Sequence, residues 1–311
     1  MFVTSVRSSS HTAFVDAARG CDVVVSGKGT TSFSAVMNAV FHVDKPVDTV
    51  PVERWRELEA DPRVLHAVPS VVGDVFRGFR VVGTTSAFFD AMAGGDGRPL
   101  KASLAPGGRV FPDDESFEAV VGAFAAARTG LALGTKFTVT HGLEEGGGEH
   151  AHDEQWTVVG VLAPTGTPTD RAIFITLRSF FHVKGHEAPP ATAPAMGEPA
   201  AIADEHGDGD HDLGEEVRAL STILVKLKTP GVRYQFAANW NAKPDVRASL
   251  PSEEIRRLFE IVQGVDGLLR AVGASGRQVR GRFLAEAVLL GFVGSVVGLA
   301  LGTVAGWIGA S

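Results

Sequence analysis

Cysteine is almost absent. The single Cys21 among 311 residues has no partner for an internal disulfide and cannot build a cysteine zinc site. Tyrosine is equally scarce, at one residue, which removes the stacking platform used to bind single-stranded nucleic acid. A net charge of -7 and a pI near 5.8 also argue against nucleic acid as the partner. Enzyme motifs are missing too: the sequence has no Gly-x-Ser-x-Gly elbow, no HExxH helix and no complete phosphate loop. Gly27-Lys28-Gly29-Thr30 hints at the last of these but lacks the Gly-x4-Gly-Lys-Ser/Thr frame, so it reads as a strand followed by a turn. The first twenty residues have no apolar core of the kind a signal peptide needs, and they cannot span a membrane. A non-enzymatic protein without a metal or nucleotide cofactor is expected.

What the chain does have is concentrated near its end. From Ala287 to Ile308 no residue is charged. That run of about 22 residues is long enough to cross a ~30 Å hydrocarbon core as a helix. Arg270, Arg277, Arg280 and Arg282 precede it, the basic flank expected on the cytoplasmic side of a span. Gly294, Gly298, Gly302 and Gly306 recur every fourth residue, which makes a flat ridge for close helix packing in lipid. A membrane anchor is therefore predicted over residues 283–308, with membrane lipid as one partner.

The segment Leu268 to Gly302, LLRAVGASGRQVRGRFLAEAVLLGFVGSVVGLALG, resembles the signature of the FtsX/MacB-type (LolC-like) permeases of ATP-binding cassette (ABC) transporters. The resemblance rests on Leu269, Arg270, Ala271, Gly273, Ala274, Ser275, Gln278 and Glu286. It extends to CDVVVSGKGTTSFSAVMNAVFHVDKP and to the order DPRV, AVPSVVGD, FRVVGTTSAFF, which are similar to the family's large extracytoplasmic domain. The resemblance implies that residues 268–282 are a cytoplasmic coupling segment where the ABC ATPase subunit docks through Arg270, Gly273, Ala274, Ser275 and Gln278. It also implies a second permease copy, a bacterial inner-membrane location, and mechanical coupling of ATP hydrolysis to export or to lipoprotein or peptide release.

Along the chain, periodicity predicts an α+β fold. Strands are expected at Cys21–Ser26, at Val64–Val72 and Phe79–Gly83 around a turn at Gly73-Asp74, and at TKFTVT, WTVVGVL, RAIFITL, STILVKLK and DVRASLP. STILVKLK alternates and is read as having one apolar face. Helices are expected at residues 33–43, at VERWRELEA, at SFEAVVGAFAAARTGL, at GVRYQFAANWNAKP, and at SEEIRRLFEIVQGVDGLL with Ser252 as its cap. By resemblance, residues 1–84 and 217–264 form a first lobe, and 85–216 form a second lobe inserted in it. His42 is read as a structural histidine, and residues 187–216 as a polar loop without fixed structure.

Two loops carry histidines. His150 and His152 alternate along HGLEEGGGEHAHDE, and His206 and His211 sit among Asp204, Glu205, Asp208, Asp210 and Asp212. Imidazole and carboxylate together suit zinc. The glycine content of both loops leaves no preformed geometry, so the choice is between a solvated polar loop and loosely bound zinc. A membrane-anchored metal-binding module is accordingly the alternative function, and a metal-dependent hydrolase a third. The sequence departs from the family at its membrane helices, since four are implied and one is present. A single span with its arginines inside would keep the large domain inside as well, against the family's arrangement. A truncated or internally deleted permease is the expectation that reconciles the two.

Overall fold

A computed structural model describes residues 16–44, 46–114, 116–141, 154–183 and 219–271. The first strand, β1 (Val23–Gly27), is a run of Val with every residue buried. Helix α1 (Ser32–Ala39) follows, capped where the Thr31 hydroxyl accepts from Ser34 N–H. Short β2 (Val50–Pro51) leads into α2 (Val52–Ala60), which Pro51 opens and Asp61 closes. The long β3 (Val64–Phe76) and β4 (Phe79–Thr84) form a hairpin, followed by α3 (Ala87–Ala91). Then come β5 (Glu118–Val121), α4 (Ala123–Thr129), β6 (Lys136–Phe137), β7 (Thr140–His141), β8 (Trp156–Val161) and β9 (Ala172–Thr176). Helix α5 (Leu177–His182), β10 (Ala219–Leu220), β11 (Thr222–Leu227), α6 (Arg233–Asn241), β12 (Val246–Ser249) and α7 (Pro251–Ala271) complete the order.

Ten strands make one mixed sheet in the order β12-β1-β11-β3-β4-β9-β5-β8-β6, with β7 paired to β3, while β10 pairs β2 separately. Strands from residues 23–84 and 222–249 fill one side and those from 118–176 the other. The parallel pairing of β4 with β9 joins them, from Arg80 opposite Ala172 to Thr84 opposite Thr176. β6 pairs β8 while β7, three residues on, pairs β3, so this extended segment returns the far side of the sheet onto β3. The α+β expectation is met by this architecture. The chain divides into two compact units, Met1–Ile255 and Arg256–Ser311, and the sheet belongs to the first.

Alternation sorts the strands between two cores. Val23, Val25, Ile173, Ile175, Ile223 and Val225 point into one, with Leu58, Trp156, Phe180, Phe236 and Trp240. Val24, Phe174 and Leu224 point into the other, with Val36, Phe88, Phe89, Leu100 and Phe111. β11 is therefore apolar on both faces, where alternation in STILVKLK suggested one. Its Thr222 and Leu224 lie in the buried interior rather than at the surface.

Three further expectations are corrected. The β3–β4 turn is at Arg77-Gly78, both at positive φ (48° and 77°), and Gly73-Asp74 is a bulge where the ladder slips between Val72 and Asp74. The helix expected over SFEAVVGAFAAARTGL is cut in two: Glu118–Val121 is a strand held between β8 and β9, and only Ala123–Thr129 is helical. Gly122 makes that change of direction possible, since a Cβ there would lie 2.3 Å from Thr169 O. The last helix begins at Pro251 rather than at a Ser252 cap, with Leu250 O accepting from Glu253 N–H and Glu254 N–H.

The direction of the strands defines two ends. β1 and β12 are antiparallel, with Val24 opposite Ser249, so the chain enters the sheet before Val23 and leaves it after Ser249 at the same end, here termed the base. β3 starts at the base, where Val64 faces Leu227, and runs away from it for 13 residues. At ~3.3 Å per residue the Arg77 hairpin tip lies about 40 Å from the base.

The outer strand β12 is shielded by a side chain. Asn241 accepts from Ala248 N–H at 3.0 Å and donates to Ala248 O at 2.8 Å, imitating the next strand. Asn241→Ala is expected to cost about 1–2 kcal/mol and to give concentration-dependent self-association by light scattering. The acid side of the stability profile follows from two carboxylates. Arg54 holds Asp245, and Arg63 holds Asp61, below the usual carboxylate range by direct hydrogen bonds. Their contribution is present above the unfolded value of about 4 and is lost as pH falls through the lower folded values. Asp245→Asn is expected to flatten the fall of the urea midpoint between about pH 5 and pH 2, and an unaltered slope would refute that role.

Candidate functional site

At the base, the strand-to-helix step from β12 into α7 is tied to its surroundings. Tyr234 Oη donates to Glu253 Oε1 at 2.7 Å, and Ile255 is buried at 2% exposure. Beside it a cleft of about 420 Å³ is lined by Arg19, Cys21, Asp22, Asp90, Lys226 and Arg233, among others. Asp22 accepts from Leu227 N–H at 2.9 Å and faces Lys226 Nζ at 3.2 Å. Asp90 pairs with Lys101, and Arg19 with Asp16 at 2.7 Å. Gly20 sits at φ +98°, and a Cβ there would lie 2.2 Å from Ala91 O, so the wall tolerates no side chain. Cys21 is buried and donates to Val23 O at 3.3 Å. Burial pushes its thiol up to about 12, which removes the thiolate needed for reaction or metal binding at neutral pH.

The phosphate-loop lookalike has a structural use. Lys28 Nζ donates to Asn241 O at 2.9 Å and Lys243 O at 3.0 Å, closing the C-terminal end of α6. The Gly29 N–H donates to Asp48 Oδ2 at 2.8 Å. A carboxylate therefore occupies the amide that a phosphate would need. His42 is also structural, as read from the sequence. It is buried edge-on to Phe174 at 5.6 Å, and desolvation lowers its pKa to about 3, with Arg80 adding repulsion. It stays neutral at any physiological pH.

The expected site residues fall mostly elsewhere. Arg270 is on α7, whereas Gly273, Ala274, Ser275 and Gln278 of the coupling segment lie outside the described residues. So do the glycine ridge Gly294, Gly298, Gly302 and Gly306, the expected span 283–308, and the loop 187–216. His150, His152, His206 and His211 lie outside them too. Among the described residues no helix is long and apolar enough to cross a membrane, and no group of three His, Cys, Asp or Glu could hold a metal. One feature has no sequence signal at all. Arg77, the Phe124 and Arg128 pair of α4, and Arg171 are far apart in the chain, and the hairpin, α4 and β9 bring them together at the end of the sheet opposite the base.

A large mixed-sheet domain followed in sequence by a basic flank and an uncharged run fits one class, the membrane permease with a large extramembrane domain. The MacB-like periplasmic core domain model matches residues 1–230, and the FtsX-like permease C-terminal model matches residues 266–309. The chain belongs to the MacB-like periplasmic core domain family and is an ABC transporter permease of the MacB/FtsX type. That family is one of transporters rather than typical enzymes. No curated protein matches the chain. Among solved structures, the periplasmic region of MacB from Actinobacillus actinomycetemcomitans is similar, with 12% identity over 78% of this chain and 95% of that one, TM-score 0.42. The extracellular domain of the noncanonic ABC-type transporter YknZ from Gram-positive bacteria is similar at 13% identity, covering 64% of this chain and 89% of that one, TM-score 0.37.

Cys21 gives a direct check on the base. A thiol reagent is expected to label it only after unfolding, while labelling of the native chain at neutral pH would mean that the β1 entry opens in solution.

Proposed function

We propose that the chain is the permease subunit through which ATP hydrolysis on a separate ABC ATPase moves an extracytoplasmic domain. The observation that carries the reading is the tandem match of residues 1–230 and 266–309 to the two halves of such a permease. In this reading residues 268–282 contact the ATPase, with Arg270 as a cation for an acidic groove on it and Gly273, Ala274 and Ser275 as a tight turn that lets the surfaces approach. The ridge Gly294, Gly298, Gly302 and Gly306 packs a neighbouring helix in the lipid, including that of a second permease copy. The large domain is then outside the cell membrane. The direct step from β12 into α7 supports transmission, because no loop lies between the outer strand of the sheet and the helix that leads to the coupling segment.

Co-purification tests this. With the cognate ATPase co-expressed, Arg270→Glu combined with Arg277→Glu is expected to lower its recovery roughly tenfold, since a like charge replaces an attractive one at the contact. Unchanged recovery would remove residues 268–282 as the docking segment.

A further inference from the structure

We propose that the cleft at the base of the sheet is a binding site for a small monocarboxylate with an apolar body, held by Arg233. The cleft has a volume of about 420 Å³, and its lining residues all belong to the first compact unit. Its walls are fixed by the fold. Ala93 N–H donates to Arg19 O at 3.3 Å, and Leu100 N–H donates to Met92 O at 3.0 Å. Gly97, at φ +79°, lets Arg19 lie close, since a Cβ there would be 3.4 Å from Arg19 Nη1. A preformed concavity of this size, apolar with a few polar groups, is the usual form of a small-molecule site.

The charges of the lining single out one residue. Arg19, Asp22, Asp90, Lys226 and Arg233 line the cleft. Four of them are compensated: Arg19 pairs with Asp16, Asp22 with Lys226, and Asp90 with Lys101. Arg233 is the exception. Among the described residues no carboxylate pairs with it, and its Nε is buried without a hydrogen-bond partner. Its guanidinium lies 5.1 Å from the centre of the Tyr234 ring, whose hydroxyl is engaged by Glu253. Arg233 is also the first residue of α6, a helix of nine residues with no side-chain cap and no acid in its first turn. A cation there adds to the positive end of the helix dipole instead of offsetting it. An unsatisfied buried donor on a cation is costly. A carboxylate that reached it would supply both the acceptor and the opposite charge.

The remaining walls select the rest of the ligand. Ala91, Met92, Ala93, Pro99 and Ile255 present apolar surface, and Met92 and Ile255 are buried. Both lining acids are already paired with lysines, so the cleft favours an anion over an ammonium group. One uncompensated guanidinium calls for a single negative charge, and its planar fork matches a carboxylate through two parallel hydrogen bonds. A medium-length fatty acid and an N-acylated apolar amino acid both carry this chemistry.

The test titrates the full chain in detergent micelles with octanoate and with N-acetyl-leucine, followed by calorimetry against empty micelles. Saturable binding of at least one is expected, and the tighter of the two tells a fatty acid from an amino-acid body. Arg233→Gln is expected to weaken it roughly tenfold, because one charge-assisted pair is worth that order. Arg233→Lys is expected to recover only part of the loss, since an ammonium keeps the charge without the fork. Among the described residues the Arg233 guanidinium donates no hydrogen bond, so the Gln variant should melt as the parent does. Ala93→Leu, which fills the cleft and leaves Arg233 in place, is expected to block both ligands, and unimpaired binding to it would overturn the site. Binding of neither carboxylate up to about 10 mM, or equal affinity in the parent and Arg233→Gln, would overturn the proposal. Octanol bound as tightly as octanoate would overturn it too, by removing charge from the recognition. Inorganic phosphate bound in place of both carboxylates would do the same, by removing the apolar body.

Discussion

The parallel ladder between β4 and β9 is the contact on which the rest of the sheet depends. Five residue pairs, from Arg80 opposite Ala172 to Thr84 opposite Thr176, join strands that come from separate stretches of chain. β9 is buried along its whole length, and its Ile173, Phe174 and Ile175 alternate between the two cores. A parallel pair of this kind closes a long loop before any contact rewards it, so its stability comes from burial on both faces. Gly83 shows how tightly the seam is packed: a Cβ there would lie 2.5 Å from Val71 and 2.9 Å from Phe180. Helix α5 rests on that glycine directly after β9, so the seam is locked from above as well as along its edges.

From this constraint the two ends of the domain acquire different characters. The base holds the entry and exit of the chain, the inert buried thiol of Cys21 and a cleft whose Asp22, Asp90 and Arg19 have partners. The charges of these three side chains are paired or hydrogen-bonded within the fold. The opposite end is built from a hairpin tip, a short helix and a strand start. Its arginines rest on phenylalanines rather than on acids.

Most elements were legible from local pattern. The Val run at β1, the Pro51 and Asp61-Pro62 boundaries of α2, and the WTVVGVL and RAIFITL strands stand where periodicity puts them. The failures share a cause, which is that tertiary burial overrides local signals. EAVV scores as the start of a helix because the apolar spacing continues through AFAAA, yet it is pulled into the sheet between β8 and β9. Gly73-Asp74 has turn chemistry, but the β3 ladder continues past it because β7 supplies a partner for Asp74 and Val75. β11 shows polar residues at alternate positions, yet Thr222 is 1% exposed because a second layer covers that face. The family itself was legible from Gly273, Ala274, Ser275 and their flanks, a short motif that needs no tertiary context.

The arginine cluster was not legible, for a different reason. Its members come from separate stretches of chain: 52 residues separate Arg77 from the carbonyl it binds, and Arg171 meets Arg128 over Phe124, four residues before Arg128 on the same helix. Sequence charge counting averages them into a net acidic chain. Only the fold shows that, among the described residues, no carboxylate pairs with these three guanidiniums. Their mutual repulsion costs stability, and aromatic stacking offsets that cost in part.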